Sequence, residues 1–400
     1  MKSRILISVL IFMFCCFSQE EKVVLLTKKD TILRYDLLLD IKLDEQKLIQ
    51  NNSFDDQKIQ AQLDSLNQLT PLDLRYTKEI GQHIKFYLFK RPEQVGALLA
   101  LAEYYFPIFE AYLDKHNLPL ELKYIPIIES SLNPNAKSPA GAIGLWQFMY
   151  PTAKEHGLRV NSYLDERKDV YKSTEAACEY FKKSYKVFNN WELAIASYNA
   201  GRRNVTKSMR RSGGKLNYWE IRPFLPKETQ NYIPAFIAAV YVMNFAQDYG
   251  IVASKELIIQ KHRIDSVHLN KRMHLPHLAA VMSIDSLLLA ELNPTYKLQL
   301  IPYVENEKFP LILPNYKWSE FINNKDSIYK ELVRLDSIEK VTYPTFSDID
   351  KIKYVVKRGD YLGKIANKYN CKIKDIMLWN DLKNSKIKQG QRLYIYRIIK

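Results

Sequence analysis

Residues 120–131 read LELKYIPIIESS, and this stretch decides how the middle of the chain folds. Leu122, Ile125 and Glu129 stand at positions i, i+3 and i+7, which lie on one face of a helix. The spacing therefore predicts a carboxylate on the same stripe as the hydrophobic core. Burial there would raise the pKa of the carboxyl group, as a general acid requires. A Glu at the helix end that leans into solvent is the alternative, and position alone does not decide between them.

A compact turn follows at residues 138–149, which read SPAGAIGLWQFM. Its glycines allow a close approach of the backbone, and Gln147 offers an amide that donates and accepts hydrogen bonds to a polar ligand. Trp146 has two interpretations, since its ring could pack against a sugar or in the core. For this residue taken alone, the core interpretation is favoured.

Two further segments carry polar side chains at helix ends. Residues 194–201 read AIASYNAG, where Gly201 is an expected helix stop and Tyr198 and Asn199 would reach a cleft. Residues 227–234 read KETQNYIP and place Tyr232 at the start of an apolar helix. Helical periodicity is continuous over 94–250, with Pro107 among the expected helix stops. The sequence therefore predicts an all-α domain in this segment.

The composition excludes several classes of protein. Of the 400 residues, 26% are charged and 47% hydrophobic, which excludes wholesale disorder, a collagen-like fibre and a polytopic membrane protein. Lys and Arg number 59 against 44 Asp and Glu, giving a formal net charge of +15. The positive charge favours an anionic partner. No nucleic-acid-binding motif accompanies it, so we expect no nucleic acid partner.

The N-terminus has the pattern of an export signal. Basic residues at positions 2 and 4 precede an apolar run over 5–14 that is too short to span a bilayer comfortably. Small residues before Gln19 predict a signal peptide over 1–18 that is cleaved after Ser18. An uncleaved anchor and lipidation at Cys15 or Cys16 are the alternatives. We expect an exported protein of the periplasm or cell envelope, with membrane association left open.

The rest of the chain divides into five segments of an α+β multidomain protein. In order, these are an N-terminal helical region (19–93), the all-α domain (94–250), a mixed module (262–314), a helical or loose linker (315–352) and a small βααβ module (353–400). The linker is inferred because its residues show no clear core pattern. Cys178 and Cys371 fall in different segments, so we expect no disulfide between them.

A weak internal repeat connects the two small modules. When residues 275–293 are shifted by 87 positions onto 362–380 without a gap, apolar residues coincide and Asn293 meets Asn380. Chance agreement between two pairs of helices is the alternative, and we favour a diverged repeat.

Four short motifs occur in the order found in one family. They are ES at 129–130, GLWQ at 144–147, YNAG at 198–201 and ETQNY at 228–232. On these motifs, residues 110–240 resemble the lytic murein transglycosylases with the soluble-transglycosylase, goose-lysozyme-like domain. The resemblance implies a lysozyme-like all-α catalytic domain that needs no cofactor. It also implies cleavage, without water, between N-acetylmuramic acid and N-acetylglucosamine to give a 1,6-anhydro ring.

The resemblance also implies roles for individual residues. Glu129 would be the catalytic acid and base, and Tyr232 would orient it. The remaining site residues would bind the substrate: Ser130, Gln147, Tyr198 and Asn199. Glycosidases with two carboxylates need a second acid, and the matching segments offer no obvious one. Asp165, Glu166 and Asp169 would reach the site only if the fold brings them there.

The C-terminal segment opens with YVVKRGD at residues 354–360 and resembles a LysM module through residue 396. LysM modules are βααβ folds that bind N-acetylglucosamine in glycans. The resemblance therefore implies glycan binding at Gly359, Asp360, Tyr361 and Leu362. Residues 262–314 would be a diverged LysM-like copy, which lacks the Gly-Asp pair and is not expected to bind sugar.

The two resemblances together imply a peptidoglycan lytic transglycosylase that a LysM module anchors to glycan. A muramidase, which hydrolyses the same bond, and a catalytically inactive wall-binding or scaffold protein are the alternatives. Peptidoglycan strands are the expected partner, outer-membrane or cell-wall proteins are further candidates, and the oligomeric state is open. Four histidines lie at 262, 268, 274 and 277 without an acidic residue placed beside them, so we expect no metal site.

Overall fold

The computed structural model describes residues 54–254, 264–339, 351–369, 371–380 and 382–396. Helices dominate and small strand pairs accompany them, so the chain is an α+β multidomain protein as predicted. The predicted signal peptide, with Cys15 and Cys16, lies outside the described residues. Among the helices that are described, none is long and apolar enough to cross a membrane.

The first unit is helical and encloses one large core. Its helices, in chain order, are α1 (Asp56–Asn67), α2 (Lys78–Lys85), α3 (Pro92–Lys115), α4 (Ile125–Ser130), α5 (Tyr150–Glu155), α6 (Val170–Phe188), α7 (Trp191–Ala200), α8 (Arg202–Arg211), α9 (Tyr218–Ile221), α10 (Lys227–Gln230) and α11 (Tyr232–Phe245). Short 3₁₀ or π turns extend several of them, at Phe86–Lys90, Leu120–Tyr124, Glu166–Lys168, Arg222–Phe224 and Ala246–Tyr249.

The N-terminal helices belong to this same core. Asp55 caps α1 by accepting hydrogen bonds from the backbone amides of Gln57 and Lys58, and Ile59 and Leu63 then point inward at i and i+4 spacing. Helix α2 packs on α11, the most apolar helix of the unit. The described part of the predicted N-terminal region is thus continuous with the predicted catalytic domain.

One helix boundary differs from the sequence prediction. Pro107 was expected to stop a helix but lies inside α3. Its ring is exposed, while Ile108 beside it is buried in the core. Packing of the inward face therefore outweighs the backbone hydrogen bond that Pro107 cannot donate.

The second unit is a small mixed fold with its own core. Its elements are β1 (Ile264–Leu269), β2 (Met273–His274), α12 (Leu275–Met282), α13 (Ser286–Leu292), β3 (Leu300–Ile301), β4 (Phe309–Pro314), α14 (Asn315–Asn323) and α15 (Lys325–Glu339). β1 pairs antiparallel with β4, from Ile264 opposite Pro314 to Leu269 opposite Phe309, and β2 pairs with β3.

The segment predicted to be a linker is helical and packed over residues 315–339. Phe321 of α14 is completely buried, and Ile328, Tyr329 and Leu332 of α15 lie in the core of the second unit. The sequence showed no core pattern here because only one or two residues of each helical turn face inward. The second unit therefore extends beyond the predicted boundary at residue 314.

A loop of the helical unit packs into the second unit. Tyr163 and Leu164 contribute side chains to the second core. The backbone amide of Lys297 donates to the Tyr163 carbonyl at 2.8 Å, and that of Asp165 donates to the Thr295 carbonyl at 2.9 Å. These backbone hydrogen bonds fasten the second unit to the loop that precedes α6.

The third unit has the predicted βααβ order. It consists of β5 (Lys351–Val355), α16 (Leu362–Tyr369), α17 (Ile373–Trp379) and β6 (Arg392–Tyr396), with β5 antiparallel to β6. Cys371 is half-buried here and Cys178 is buried in α6, and both are free thiols, as expected.

The internal repeat is confirmed by structure. Helices α12 and α13 begin at residues 275 and 286, and α16 and α17 begin at 362 and 373, so the offset of 87 holds for both. Asn293 and Asn380 each accept from a backbone amide of the closing strand and donate to a carbonyl of the same strand, at 2.6–2.9 Å. The same pair of hydrogen bonds from an equivalent Asn in both units is not expected from chance similarity.

Candidate functional site

Glu129 lies in the last turn of α4 and is buried. Its side chain is 3% exposed, and Leu122 and Ile125 on the same face are completely buried, so the predicted stripe exists. The hydroxyl of Tyr232, at the start of α11, donates a hydrogen bond to Oε1 of Glu129 at 2.7 Å. The alternative of a Glu that leans into solvent is therefore wrong.

The end of α4 is fixed by two left-handed residues and by Ser130. Ser131 and Leu132 have φ values of 52° and 59°, which end the short helix abruptly. The Ser130 hydroxyl lies 2.8 Å from the carbonyl oxygen of Leu145 and 3.0 Å from that of Pro126. Ser130 thus joins the helix that carries Glu129 to the turn that carries Gln147.

The turn at residues 144–148 requires glycine at its first position. Gly144 has φ 90°, and a Cβ atom there would lie 1.8 Å from the carbonyl oxygen of Arg167. Gln147, at φ 47°, donates its amide to the carbonyls of Ala136 at 3.1 Å and Gly144 at 2.9 Å. The Gln147 side chain therefore holds the turn in shape beside the end of α4.

Trp146 is a core residue. Its side chain is completely buried, its Nε1 donates to Oγ1 of Thr174 at 3.0 Å, and its ring packs edge-on against Phe109 at 5.3 Å between ring centroids. The core interpretation of Trp146 is confirmed, and sugar stacking on this ring is excluded.

Tyr198 reaches the same turn from α7. Its hydroxyl donates to the carbonyl of Trp146 at 2.6 Å, and its half-buried ring stacks on Phe181 with centroids 4.9 Å apart. The structure thus brings Ser130, Gln147 and Tyr198 to one turn of backbone, where each bonds a backbone carbonyl.

Asn199 is held by residues that the sequence analysis did not select. It accepts from Oγ1 of Thr229 at 2.6 Å and donates to Oε1 of Glu228 at 3.1 Å. Both partners belong to α10, directly before Tyr232, and their position inside the ETQNY motif was the available indication. Glu228 is exposed, so the matching segments do contain a second carboxylate, which the sequence argument overlooked.

The other three acids have structural roles. Asp165 is buried and forms two hydrogen bonds with the guanidinium of Arg167, at 2.8 and 2.7 Å. Glu166 is buried in ion pairs with Arg159 and Lys172. Asp169 caps α6 by accepting from backbone amides. These three acids are thus engaged by cationic side chains or by backbone amides, whereas Glu129 accepts a hydrogen bond from the neutral phenol of Tyr232.

The four predicted LysM residues differ in exposure. Gly359 has φ 82°, and Asp360 accepts hydrogen bonds from the Tyr354 hydroxyl and, at 2.8 Å, from the Lys357 backbone amide. Leu362 is 1% exposed and lies in the core, whereas the Tyr361 ring is 65% exposed. Of the four, Tyr361 is therefore the one whose side chain is largely exposed.

The histidine region differs from the sequence expectation. Nδ1 of His277 lies 2.7 Å from Asp336, and its Nε2 lies 2.9 Å from Glu339. His268 is exposed on β1, and His262 is outside the described residues. An acidic partner is present after all, and it comes from the segment predicted to be a linker.

Three domain families match the chain. The transglycosylase SLT domain matches residues 106–220. The LysM-like domain of lytic transglycosylase MltD matches residues 263–330, and the LysM domain matches residues 354–395. The three matches correspond to the three structural units.

The similar proteins with known names include lytic transglycosylases. Membrane-bound lytic murein transglycosylase D of Escherichia coli, strains K12 and O6:H1, is 27% identical over 300 residues. The match covers 74% of this chain and 64% of the relative, so the chain spans less than two thirds of that relative's length. The solved 70 kDa soluble lytic transglycosylase of Escherichia coli is 23% identical, with TM-score 0.33, over 44% of this chain and 32% of that one. The domain matches and the relatives together identify the chain as similar to membrane-bound lytic murein transglycosylase D, with a transglycosylase SLT domain, an MltD-type LysM-like domain and a LysM domain.

Proposed function

We propose that this protein is a peptidoglycan lytic transglycosylase that cleaves the β-1,4 bond between N-acetylmuramic acid and N-acetylglucosamine. The observation that carries the proposal is the buried Glu129 carboxyl held by the Tyr232 hydroxyl inside the part of the chain that matches the SLT domain. A buried carboxyl with a neutral partner suits proton transfer to a glycosidic oxygen.

The reaction uses Glu129 twice. Glu129 first protonates the glycosidic oxygen, the bond from C1 of the muramic acid breaks, and the acetamido oxygen supports the oxocarbenium-like centre. The C6 hydroxyl of the same sugar then attacks C1, and its proton returns to Glu129. The products are a free 4-hydroxyl and a 1,6-anhydro ring, and no water is consumed.

The neighbouring residues position the acid and the sugar. Tyr232 orients the Glu129 carboxyl through its hydrogen bond. Ser130, Gln147 and Tyr198 hold the 144–148 turn against the end of α4, and we assign them to substrate binding together with Asn199. Fixed geometry of this kind lowers the barrier because the reacting groups are already in place.

A muramidase is the second candidate. The observation that favours it is Glu228, an exposed carboxylate bonded to Asn199, which could activate a water molecule for hydrolysis. An inactive wall-binding protein is the third candidate, and the intact Glu129–Tyr232 pair argues against it.

We also propose that the LysM domain anchors the enzyme to glycan at the turn of Gly359, Asp360, Tyr361 and Leu362. Export through the predicted signal peptide at 1–18 would place the enzyme in the periplasm or cell envelope, in line with the membrane-bound relative. The excess of basic residues suits the carboxylates of peptidoglycan peptide stems.

The test of the enzymatic proposal is release of soluble fragments from purified sacculi by residues 19–400. Glu129→Gln keeps the shape of the side chain but cannot exchange the proton, so release should fall about 10²–10⁴-fold. Glu103→Gln is the matched control, because Glu103 is exposed on α3, and it should act like the wild type. Equal activity of Glu129→Gln and Glu103→Gln would overturn the assignment.

The test of the anchoring proposal is sedimentation of the protein with sacculi. Tyr361→Ala should weaken binding several-fold, because an exposed aromatic ring is lost from the proposed glycan-binding turn. Tyr316→Ala is the control, since Tyr316 is 67% exposed in α14, outside that turn. If both variants bind like the wild type, the glycan-binding turn is wrongly assigned.

A further inference from the structure

Two helices of the LysM-like unit face each other with complementary side chains. His274 precedes α12 and His277 lies in its first turn, three residues later. Asp336 and Glu339 have the same spacing at the end of α15. Asp336 and Glu339, three residues apart, share one face of α15. His274, the last residue of β2, lies beside His277 of α12, so the two segments present potential metal ligands to each other.

The ligand atoms converge on one point. One ring nitrogen each from His274 and His277 and one carboxylate oxygen from Asp336 all lie within 4.8 Å of one another. The imidazole rings of His274 and His277 are nearly perpendicular, with centroids 4.3 Å apart. Tetrahedral coordination at about 2.0–2.1 Å places ligand atoms about 3.3 Å apart, which small side-chain rotations would achieve.

We propose that His274, His277 and Asp336 form a binding site for a divalent cation of the zinc class. Two imidazoles and one carboxylate are a donor set that Zn²⁺ accepts, whereas Mg²⁺ and Ca²⁺ prefer sites built from oxygen alone. The fourth position is filled by water, because three protein ligands leave it open.

Glu339 completes the site without being a ligand. Its Oε2 lies 2.9 Å from Nε2 of His277, while Nδ1 of the same ring faces Asp336. A histidine that binds zinc through one nitrogen typically donates its other N–H to a carboxylate, which orients the ring. Glu339 is thus the orienting partner of His277.

The burial of the cluster suits a structural site. His277 is 5% exposed, and His274 and Asp336 are half-buried, so the ligands are partly shielded while one side stays open to water. A bound cation would fasten α15 to α12, at the point from which the chain continues toward the LysM domain. An ion-pair network of His277 with Asp336 and Glu339 alone would not require His274.

The test is metal binding by residues 19–400, produced without a histidine tag and stripped with a chelator. Zn²⁺ is titrated by calorimetry, and Co²⁺ is used as a visible-absorption probe of tetrahedral coordination. The wild type should bind one equivalent of either ion, and Mg²⁺ should not compete.

Three single variants decide the assignment. His274→Gln and Asp336→Asn should each lower Zn²⁺ affinity at least tenfold, whereas His268→Gln, at an exposed histidine outside the cluster, should match the wild type. Thermal unfolding of the stripped proteins identifies any variant that fails to fold. If Asp336→Asn fails to fold, His274→Gln decides the assignment, because it leaves the contacts of His277 with Asp336 and Glu339 in place. Absence of stoichiometric binding, or binding that survives both cluster substitutions, would overturn the proposal.

Discussion

Glu129 and Asp165 are equally buried acids of one domain with opposite surroundings. Glu129 is 3% exposed and is bound by the neutral hydroxyl of Tyr232, whereas Asp165 is 2% exposed and is bound twice by the guanidinium of Arg167. Burial alone therefore does not separate the two acids. The charge of the bonded partner does, because the guanidinium of Arg167 forms an ion pair with Asp165, whereas the hydroxyl of Tyr232 brings no charge to Glu129.

The loop after α5 shows the same rule within a few residues. Burial pushes the pKa of Asp165 upward, but the hydrogen bonds and charge of Arg167 outweigh it and hold that pKa below its usual range. Asp169 has backbone amides as its nearest donors, and burial raises its pKa. Two acids four residues apart thus shift in opposite directions, because only one has a cationic partner bonded to it.

Removal of the buried ion pair should have the largest effect on folding. Asp165→Asn leaves the Arg167 guanidinium uncompensated, which should lower the free energy of unfolding by about 3–5 kcal/mol. Chemical denaturation measures the change, and Asp114→Asn, at an exposed aspartate of α3, is the control. A loss below about 1 kcal/mol would show that the ion pair with Arg167 does not give Asp165 a larger role in stability than Glu129 has.

A third buried titratable group extends the comparison to pH. Burial, helped by the charge of Arg222 and opposed by Glu79, lowers the pKa of His83 to about 4 from 6.5. Because the folded-state value is the lower one, protonation favours the unfolded chain. The stability that depends on neutral His83 is complete above pH 6.5 and is lost as the pH falls toward 4, by about 3 kcal/mol.

Unfolding measured between pH 4 and 7 checks this prediction. His83→Gln should have a shallower pH dependence than the wild type across that window, whereas His268→Gln should keep the wild-type slope. Parallel curves for His83→Gln and the wild type would show that the burial of His83 does not control the pH dependence of stability in this window.

The phenol partner can be removed without removing the ring. Tyr232→Phe should lower kcat on sacculi about 10–100-fold with little change in KM, because a hydrogen bond to a carboxylate contributes about 1.5–3 kcal/mol. Tyr241→Phe is the control, since Tyr241 is also buried in α11 but bonds Gln62 and Tyr249. Equal kcat for Tyr232→Phe and Tyr241→Phe would show that Tyr232 does not position Glu129.

The smallest expected effect is on the stability of Glu129→Gln. If Glu129 is the catalytic acid, its buried carboxyl does not serve to stabilise the fold, so the free energy of unfolding should stay constant or rise by up to about 1 kcal/mol. Together with Asp165→Asn, this measurement separates an acid that serves catalysis from one that serves folding. A loss of several kcal/mol in Glu129→Gln would contradict the distinction.

Local pattern was enough to predict much of the site. The helical face of Glu129 and the order of the βααβ module follow from spacing, and the core position of Trp146 follows from the usual burial of tryptophan. The structure confirms all three. Tyr232 and Glu129 were paired through the resemblance, since 103 residues separate them.

Contacts between distant segments account for what the sequence did not predict. Asp336 meets His277 across 59 residues, and α14 and α15 gain their inward faces only when packed on the second unit. Pro107 continues a helix because its exposed side lies in solvent while its neighbours fill the core. Each case depends on which surface a segment meets, and spacing within the segment does not contain that information.

The central claim is that Glu129 cleaves glycan without water, and the mass of the products tests it most directly. Purified sacculi are digested with residues 19–400, and the released muropeptides are analysed by mass spectrometry. If Glu129 cleaves the glycan without water, the products should be lighter than hydrolysed muropeptides by about 18 Da, the mass of one water. Glu129→Gln should not release these products. Products with reducing ends that take up oxygen from labelled water would contradict the central claim and make Glu228 the candidate water-activating base.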